Sequence, residues 1–164
     1  MQIYKKLTQG SESRTHYAAK DRAAEICRAS NRLVLNTFEV GRWTTYRMDL
    51  TGCEIVTECA YPSGESVEDK SYYVAKHGRL PPMIFDVGVV KNGKVVAAIE
   101  VALSHWIDQK KWAKIAVSPV IVIEAHAFHP QWITEGNNKI ECENLRVPLR
   151  PLVELRRILP GDYA

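Results

Sequence analysis

The segment 83–103 constrains the fold more than any other part of the chain. Two apolar runs, Met83–Val90 and Lys94–Leu103, flank a short polar stretch that contains Asn92-Gly93. This dipeptide is favoured in two-residue β-turns, because both of its residues accept a positive φ. The pattern therefore predicts an antiparallel hairpin in which both strands are largely buried.

Each strand of this hairpin carries a carboxylate among residues that favour burial. Asp86 lies between Phe85 and Val87, and Glu100 lies in the most apolar stretch of the sequence. A buried carboxylate without compensation costs several kcal/mol or takes up a proton. A divalent metal ion could compensate the pair, and so could a salt bridge or a solvent-exposed strand end. The two carboxylates alone do not decide between these alternatives.

The rest of the chain alternates between helical and extended patterns. We predict a single α/β (α+β) domain over residues 1–164, in which helices flank a mixed central β-sheet. Its core elements span 11–30 and 83–128, a β-rich insertion spans about 31–61, and a basic segment spans about 145–164. The predicted helices are Ser11–Ser30, Ile107–Ile115 and Leu152–Leu159, the further strands are Leu33–Leu35, Thr44–Leu50, Cys53–Cys59 and Pro119–Phe128, and Ser71–His77 fits either type.

Composition and motif content narrow the functional classes. Lys and Arg number 22 against 19 Asp and Glu, and this net charge of +3 is compatible with a nucleic-acid partner if the basic residues cluster. The four cysteines form no Cys-x-x-Cys pair and the chain begins without an apolar signal, which predicts reduced thiols in a cytoplasmic protein. No run approaches the roughly 18 apolar residues that span a bilayer. Dinucleotide, P-loop, esterase and zinc-protease motifs are absent from the sequence.

The first helix carries a polar stripe. Glu12, His16 and Lys20 are four residues apart and share one helix face. The stripe is either a solvated surface with a weak ion pair or a set of groups directed at the hairpin carboxylates. In the second case it would supply a ligand and a proton carrier.

A basic segment follows the strand of Glu100. It contains His105 and then Lys110, Lys111 and Lys114 on the predicted helix. Such lysines either form an ordinary solvated face or stabilise the negative charge that grows on a reacting phosphate. Near the end of the chain, four arginines form either a phosphate-contacting surface or a plain basic face: Arg146, Arg150, Arg156 and Arg157.

Four sequence stretches together resemble the PD-(D/E)XK nuclease superfamily. They read ESRTHYAAKDRAAEI, FDVGVV, AAIEVALSH and IDQKKWAKI, and they are similar to small competence-protein-like nuclease domains. The similarity covers Glu12–Lys20 and Phe85–Phe128. It implies a restriction-endonuclease-like core, hydrolysis of DNA phosphodiesters, and Mg²⁺ or Mn²⁺ as cofactor held by Asp86 and Glu100. It also implies that Glu12 is the acidic residue of the first helix, with His16 and Lys20 accompanying it.

The sequence departs from the family signature at Ala102, where the signature has a lysine two residues after the second acid. We expect Lys111 to take this role, while Lys20, His105, Lys110 and Lys114 contact nucleic acid. The expected partner is DNA rather than RNA, and a homodimer is compatible with the resemblance.

Two other functions fit the same residues. The chain could be a catalytically inactive nucleic-acid-binding or regulatory protein on this fold, since Ala102 replaces the signature lysine. Alternatively, the β-rich segment Asn31–Tyr61 could serve as a protein–protein interaction module, of the kind found in phages and mobile elements. Only the second alternative predicts no salt-sensitive affinity for DNA.

Overall fold

The computed structural model describes residues 10–103, 106–126 and 138–161, with side chains from Arg14 onward. The helices are α1 (Gly10–Ala29), α2 (Lys70–His77) and α3 (Gln109–Ala116). The strands are β1 (Arg32–Glu39), β2 (Arg42–Asp49), β3 (Glu54–Tyr61), β4 (Met83–Lys91), β5 (Lys94–Ala102), β6 (Ile121–His126), β7 (Lys139–Cys142), β8 (Asn144–Arg146) and β9 (Leu155–Arg157). These elements form two sheets and confirm the α+β class.

The larger sheet has five strands in the order β3-β4-β5-β6-β8. β3, β4 and β5 form an antiparallel meander, and β6 lies parallel to β5 after the crossover through α3. The predicted turn is present, since Asn92 and Gly93 have φ of 52° and 73°. The register of β5 with β6 places Glu100 beside Glu124.

The smaller sheet has four strands in the order β7-β1-β2-β9. β1 and β2 form a hairpin, β7 joins β1 in parallel, and β9 joins β2 antiparallel. The segment predicted as a β-rich insertion at about 31–61 is therefore divided, because β1 and β2 belong to the smaller sheet and β3 belongs to the larger one.

The main core lies between the two sheets and α1. Ala19, Ala23 and Ala24 of α1 are small enough to allow close packing, and they are buried with Leu33 of β1 and Ile99 of β5. A second cluster covers the opposite face of the larger sheet, where α3 packs Ile115 against its strands. The larger sheet is therefore covered on both faces, which explains its continuous apolar runs.

Most predicted elements are present, with shifts of a few residues at their ends. The expected helix at Leu152–Leu159 is wrong, because β9 occupies Leu155–Arg157 and pairs with Tyr46–Met48 of β2. The undecided segment Ser71–His77 is helical, with Asp69 as its N-cap. The larger sheet is the mixed sheet with flanking helices that the sequence predicts, and the smaller sheet is an addition to that expectation. None of the helices in the described ranges is long and apolar enough to cross a membrane.

Candidate functional site

The ladder between β3 and β4 is interrupted at one pair. Thr57 pairs with Val87 and Cys59 pairs with Phe85, whereas Glu58 and Asp86, which face each other between these pairs, do not pair. Glu58 has a φ of 48°, which is unusual for a residue with a long side chain inside a strand. The backbone irregularity thus lies beside the carboxylate that the sequence singled out.

Asp86 is surrounded by hydrogen-bond donors and positive charges. Its Oδ2 accepts a hydrogen bond from the Val101 backbone nitrogen at 2.8 Å. The Nε2 atom of His16 lies 3.6 Å from Oδ2, and the ammonium of Lys20 lies 3.9 Å from Oδ1. Burial raises the pKa of Asp86, but the contacts with His16, Val101 and Lys20 outweigh burial and leave that pKa below its ordinary value. Asp86 is therefore held as a carboxylate.

Glu100 is the second buried carboxylate, with an exposed fraction of 8%. Its Oε1 accepts a hydrogen bond from the Lys111 ammonium at 2.5 Å. Burial and the neighbouring charge of Asp86 raise the pKa of Glu100 to about 8, although Lys111 acts in the opposite direction. At neutral pH, Glu100 therefore needs positive charge beyond that of Lys111 to remain ionised.

Local structure fixes the position of Lys111. Asp108 caps α3 by accepting a hydrogen bond from the Lys111 backbone nitrogen at 2.7 Å. The Lys111 ammonium also donates to the Ile84 carbonyl at 2.8 Å and lies 5.3 Å from the Phe85 ring centroid. This lysine, which is not within the second strand, therefore reaches Glu100 from the first turn of the following helix.

Glu124 is a buried carboxylate that our sequence analysis missed. Its Oε2 accepts from the Ile107 nitrogen at 2.6 Å, and its Oε1 accepts from Asn144 Nδ2 at 2.7 Å. It thereby ties the chain leading into α3 to strands β6 and β8. A glutamate inside the apolar run 120–125 is the same signal that identified Glu100, so the sequence could have indicated it.

His16 and Lys20 both project from α1 towards Asp86. The Nε2 atom of His16 also lies 3.1 Å from the Val101 carbonyl. The hydrogen bond with Asp86 raises the pKa of His16 more than burial lowers it. Lys20 is only 5% exposed, and its ammonium forms an ion pair with Glu58, a residue that our sequence analysis did not single out.

Two open cavities meet at Lys111. One, of about 200 Å³, is lined by Glu100, Val101, Ala102, Trp106, Ile107, Asp108, Lys111 and Glu124. The other, of about 320 Å³, is lined by Leu80, Pro81, Pro82, Met83, Ile84, Asp108, Lys110, Lys111 and Lys114. A larger cavity of about 550 Å³ lies by the Asn92-Gly93 turn, and we do not assign the site to it because its lining contains none of Asp86, Glu100 and Lys111.

The residues fit a divalent metal ion that keeps part of its water shell. Among the side chains that the structure describes, no group of three or more His, Cys, Asp or Glu is arranged to hold a metal. Asp86 and Glu100 are nevertheless close enough for their charges to interact, and this interaction adds to burial in raising the pKa of Glu100. Mg²⁺ is commonly held by one or two carboxylates plus waters and phosphate oxygens. Asp86 and Glu100 supply that number and type of ligand.

The other predicted residues divide into three groups. The side chain of Glu12 and the whole of His105 lie outside the described part of the chain. Lys114 donates to the Pro82 carbonyl at 2.9 Å, and with Lys110 it lines the cavity next to Lys111. Of the terminal arginines, Arg146 donates to carbonyls at the end of α3, including that of Ala116 at 3.0 Å.

Comparison with known proteins identifies no family for this chain. The chain matches no family model, no curated protein and no solved structure. The functional argument therefore rests on the contacts described above.

Proposed function

We propose that this protein is a metal-dependent nuclease that hydrolyses DNA phosphodiester bonds, as its resemblance to the PD-(D/E)XK superfamily implies. The observation that carries the proposal is the convergence of Asp86 and Glu100 with the Lys111 ammonium, which lies 2.5 Å from Glu100. These groups come from β4, β5 and α3, and two of them, Glu100 and Lys111, line an open cavity. Two carboxylates with an adjacent lysine are suited to metal-assisted phosphodiester hydrolysis.

In this proposal the metal ligands are Asp86 and Glu100, and the ion is Mg²⁺ or Mn²⁺. When bound, the ion polarises the scissile phosphate and lowers the pKa of a coordinated water. Asp86 is suited to cation binding because its neighbours keep it ionised. Glu100 gives up its proton more readily when positive charge is added beside it.

Lys111 takes the role of the lysine that is missing at Ala102. Its ammonium contacts Glu100 and faces the cavity, so it can neutralise charge that develops on a phosphate oxygen. Lys110 and Lys114 extend the positive charge along the adjoining cavity, where they can contact the DNA backbone. His16, which contacts Asp86 and has a raised pKa, can hold a proton at the edge of the site.

Metal binding is the first test. We expect calorimetric titration with Mn²⁺ to give saturable binding that both Asp86→Ala and Glu100→Ala abolish, because each change removes a ligand. Glu54→Ala is the matched control, since Glu54 is an exposed carboxylate on the same sheet, opposite Val90. Wild-type binding that survives in either site variant would contradict the assignment.

Cleavage is the second test. Lys111→Ala should lower the rate of metal-dependent DNA cleavage by about 10²–10³-fold, the usual cost of losing one preorganised charge-stabilising group. Lys76→Ala is the control and should retain most activity, because the Lys76 ammonium contacts Glu65 and lines neither of the cavities that meet at Lys111. Equal activity of wild type and Lys111→Ala would exclude this lysine from the reaction.

A non-catalytic nucleic-acid-binding protein is the second candidate. It is favoured by the ion pairs of the site, because Lys111 already neutralises Glu100 and Lys20 already neutralises Glu58 without a metal. This alternative predicts DNA binding that weakens with salt, no cleavage with Mg²⁺ or Mn²⁺, and no loss of binding in Glu100→Ala.

A further inference from the structure

Glu58 has a backbone conformation that its residue type disfavours. Within the strands that the structure describes, it is the one non-glycine residue with a positive φ, at 48°. Glutamate gains nothing from this conformation, whereas asparagine and glycine tolerate it. Such strain persists where the surrounding structure imposes it, and it is concentrated at functional sites.

The neighbouring loop holds this irregular backbone in place. The Val67 nitrogen donates to the Glu58 carbonyl at 2.7 Å. The Ser66 hydroxyl donates to the Thr57 carbonyl at 3.2 Å, and Ser66 also forms an isolated bridge with Cys59. Three contacts from consecutive loop residues thus secure residues 57–59 and direct the Glu58 side chain towards α1.

The Glu58 carboxylate meets the ammonium of Lys20, which is buried on α1. The same ammonium lies 3.9 Å from Asp86 Oδ1 and 5.0 Å from the Tyr17 ring centroid. Two carboxylates therefore face one buried cation, and the closer contact is with Glu58. Without Glu58, the nearest carboxylate for Lys20 is Asp86, which we assign to the metal.

We propose that Glu58 is a positioning residue that holds Lys20 away from Asp86, so that the Asp86 carboxylate remains open to a divalent cation. This inference rests on the proposed function, because it gives Asp86 a metal to bind. In the absence of Glu58, Lys20 moves onto Asp86 and competes with the metal for its oxygens. The backbone strain at Glu58 is retained because a regular strand would not direct this carboxylate at Lys20.

The test is a double-mutant cycle read by Mn²⁺ calorimetry, with Glu58→Asn, Lys20→Met and the double variant. Asparagine tolerates the positive φ, so Glu58→Asn removes the charge without new backbone strain. We expect Glu58→Asn to weaken Mn²⁺ binding about 10–100-fold, the usual effect of losing a residue that supports a metal ligand. Lys20→Met should change affinity little on its own, and the double variant should return to within about threefold of wild type.

The cycle separates competition from simpler explanations. A long-range charge effect predicts that Lys20→Met strengthens binding by the same factor with or without Glu58, and this result would overturn the proposal. A purely structural role predicts that the double variant remains as weak as Glu58→Asn, which would also overturn it. Wild-type affinity in Glu58→Asn would exclude Glu58 from the site while leaving the nuclease proposal intact. If the wild type itself binds no Mn²⁺, both proposals fail.

Folding controls accompany each variant. Thermal unfolding should show a cooperative transition for all of them, so that any change in affinity is read on folded protein. Glu54→Asn is the matched control on β3, because Glu54 is exposed and pairs in register with Val90. Its Mn²⁺ affinity should equal that of wild type, and a loss as large as that of Glu58→Asn would assign the effect to surface charge.

Discussion

Two residues of this protein share the same unfavourable backbone angle in contrasting surroundings. Val40 and Glu58 both have a φ of 48°. Val40 lies at the tip of the β1–β2 hairpin and is fully exposed, whereas Glu58 lies within β3 and contacts a buried lysine. The comparison teaches that strain alone does not identify a functional residue. What the strained side chain contacts is the informative observation.

The surroundings of Val40 explain why its strain is tolerated without a compensating contact. Its turn, with φ of 48° and 76° at Val40 and Gly41, resembles the β4–β5 turn, which has 52° and 73° at Asn92 and Gly93. Phe38 and Trp43 flank the tip as an edge-to-face pair with ring centroids 5.6 Å apart. The hairpin is thus secured by its strands, and asparagine would suit the turn better than valine.

The largest expected effect is on stability, and it separates the two positions directly. Alanine keeps the strain at each position and removes only the side chain. Glu58→Ala should lower the free energy of unfolding by about 2 kcal/mol, because the buried Lys20 ammonium loses its closest carboxylate and keeps only Asp86 as a partner. Val40→Ala should change it by less than about 0.5 kcal/mol, as for other exposed positions.

Urea unfolding of the two variants measures this difference. The Lys20→Met/Glu58→Ala double variant is the control, because replacing both charges removes the buried cation that lost its closest partner and should recover most of the loss. Equal stability of Glu58→Ala and Val40→Ala would mean that the buried ion pair contributes nothing beyond a surface contact.

The same comparison shows how far the sequence predicts the site. The apolar runs and the Asn92-Gly93 turn are local signals, and they predict the hairpin that brings Asp86 and Glu100 together. The sequence also predicts the position of Lys111, because this residue lies in the first turn of the helix that follows the Glu100 strand. Glu58 escapes prediction because its segment fits a regular strand, and only the interrupted pairing with β4 reveals it.

The smaller sheet escapes prediction for a different reason. β1 pairs in parallel with β7, about a hundred residues later in the chain, and β2 pairs with β9 near the end of the described residues. The partners β7 and β9 have four and three residues, which is too short for a periodic pattern. Their conformation is set by tertiary pairing, which overrides the helical composition of Leu152–Leu159.

The pH dependence of stability distinguishes the two regions without a substrate. Burial raises the pKa of Glu100 in the folded protein to about 8, above its ordinary value of 4.5. The folded state therefore binds more protons than the unfolded state between these values, and the stability of the metal-free protein should fall as pH rises from about 5 to 8. Glu100→Gln should remove most of this slope.

Thermal unfolding at several pH values measures the slope. Val40→Ala should retain the wild-type slope, since the hairpin tip has no contact with the buried carboxylates. If Glu100→Gln keeps a slope of the same size, another group causes the pH dependence. The pKa of Glu100 would then not be raised in the folded protein.

The smallest expected effect tests whether the positive φ at Val40 only lowers stability and serves no function. Val40→Asn should raise the free energy of unfolding by about 1 kcal/mol, because asparagine tolerates the positive φ that β-branched residues disfavour. The reciprocal change Asn92→Val should lower it by a similar amount, since the two turns have nearly the same angles. Mn²⁺ affinity should remain unchanged in Val40→Asn. If Val40→Asn instead lowers stability or metal affinity, the hairpin tip makes a contact that its full exposure conceals, and strain at both positions would then mark a function.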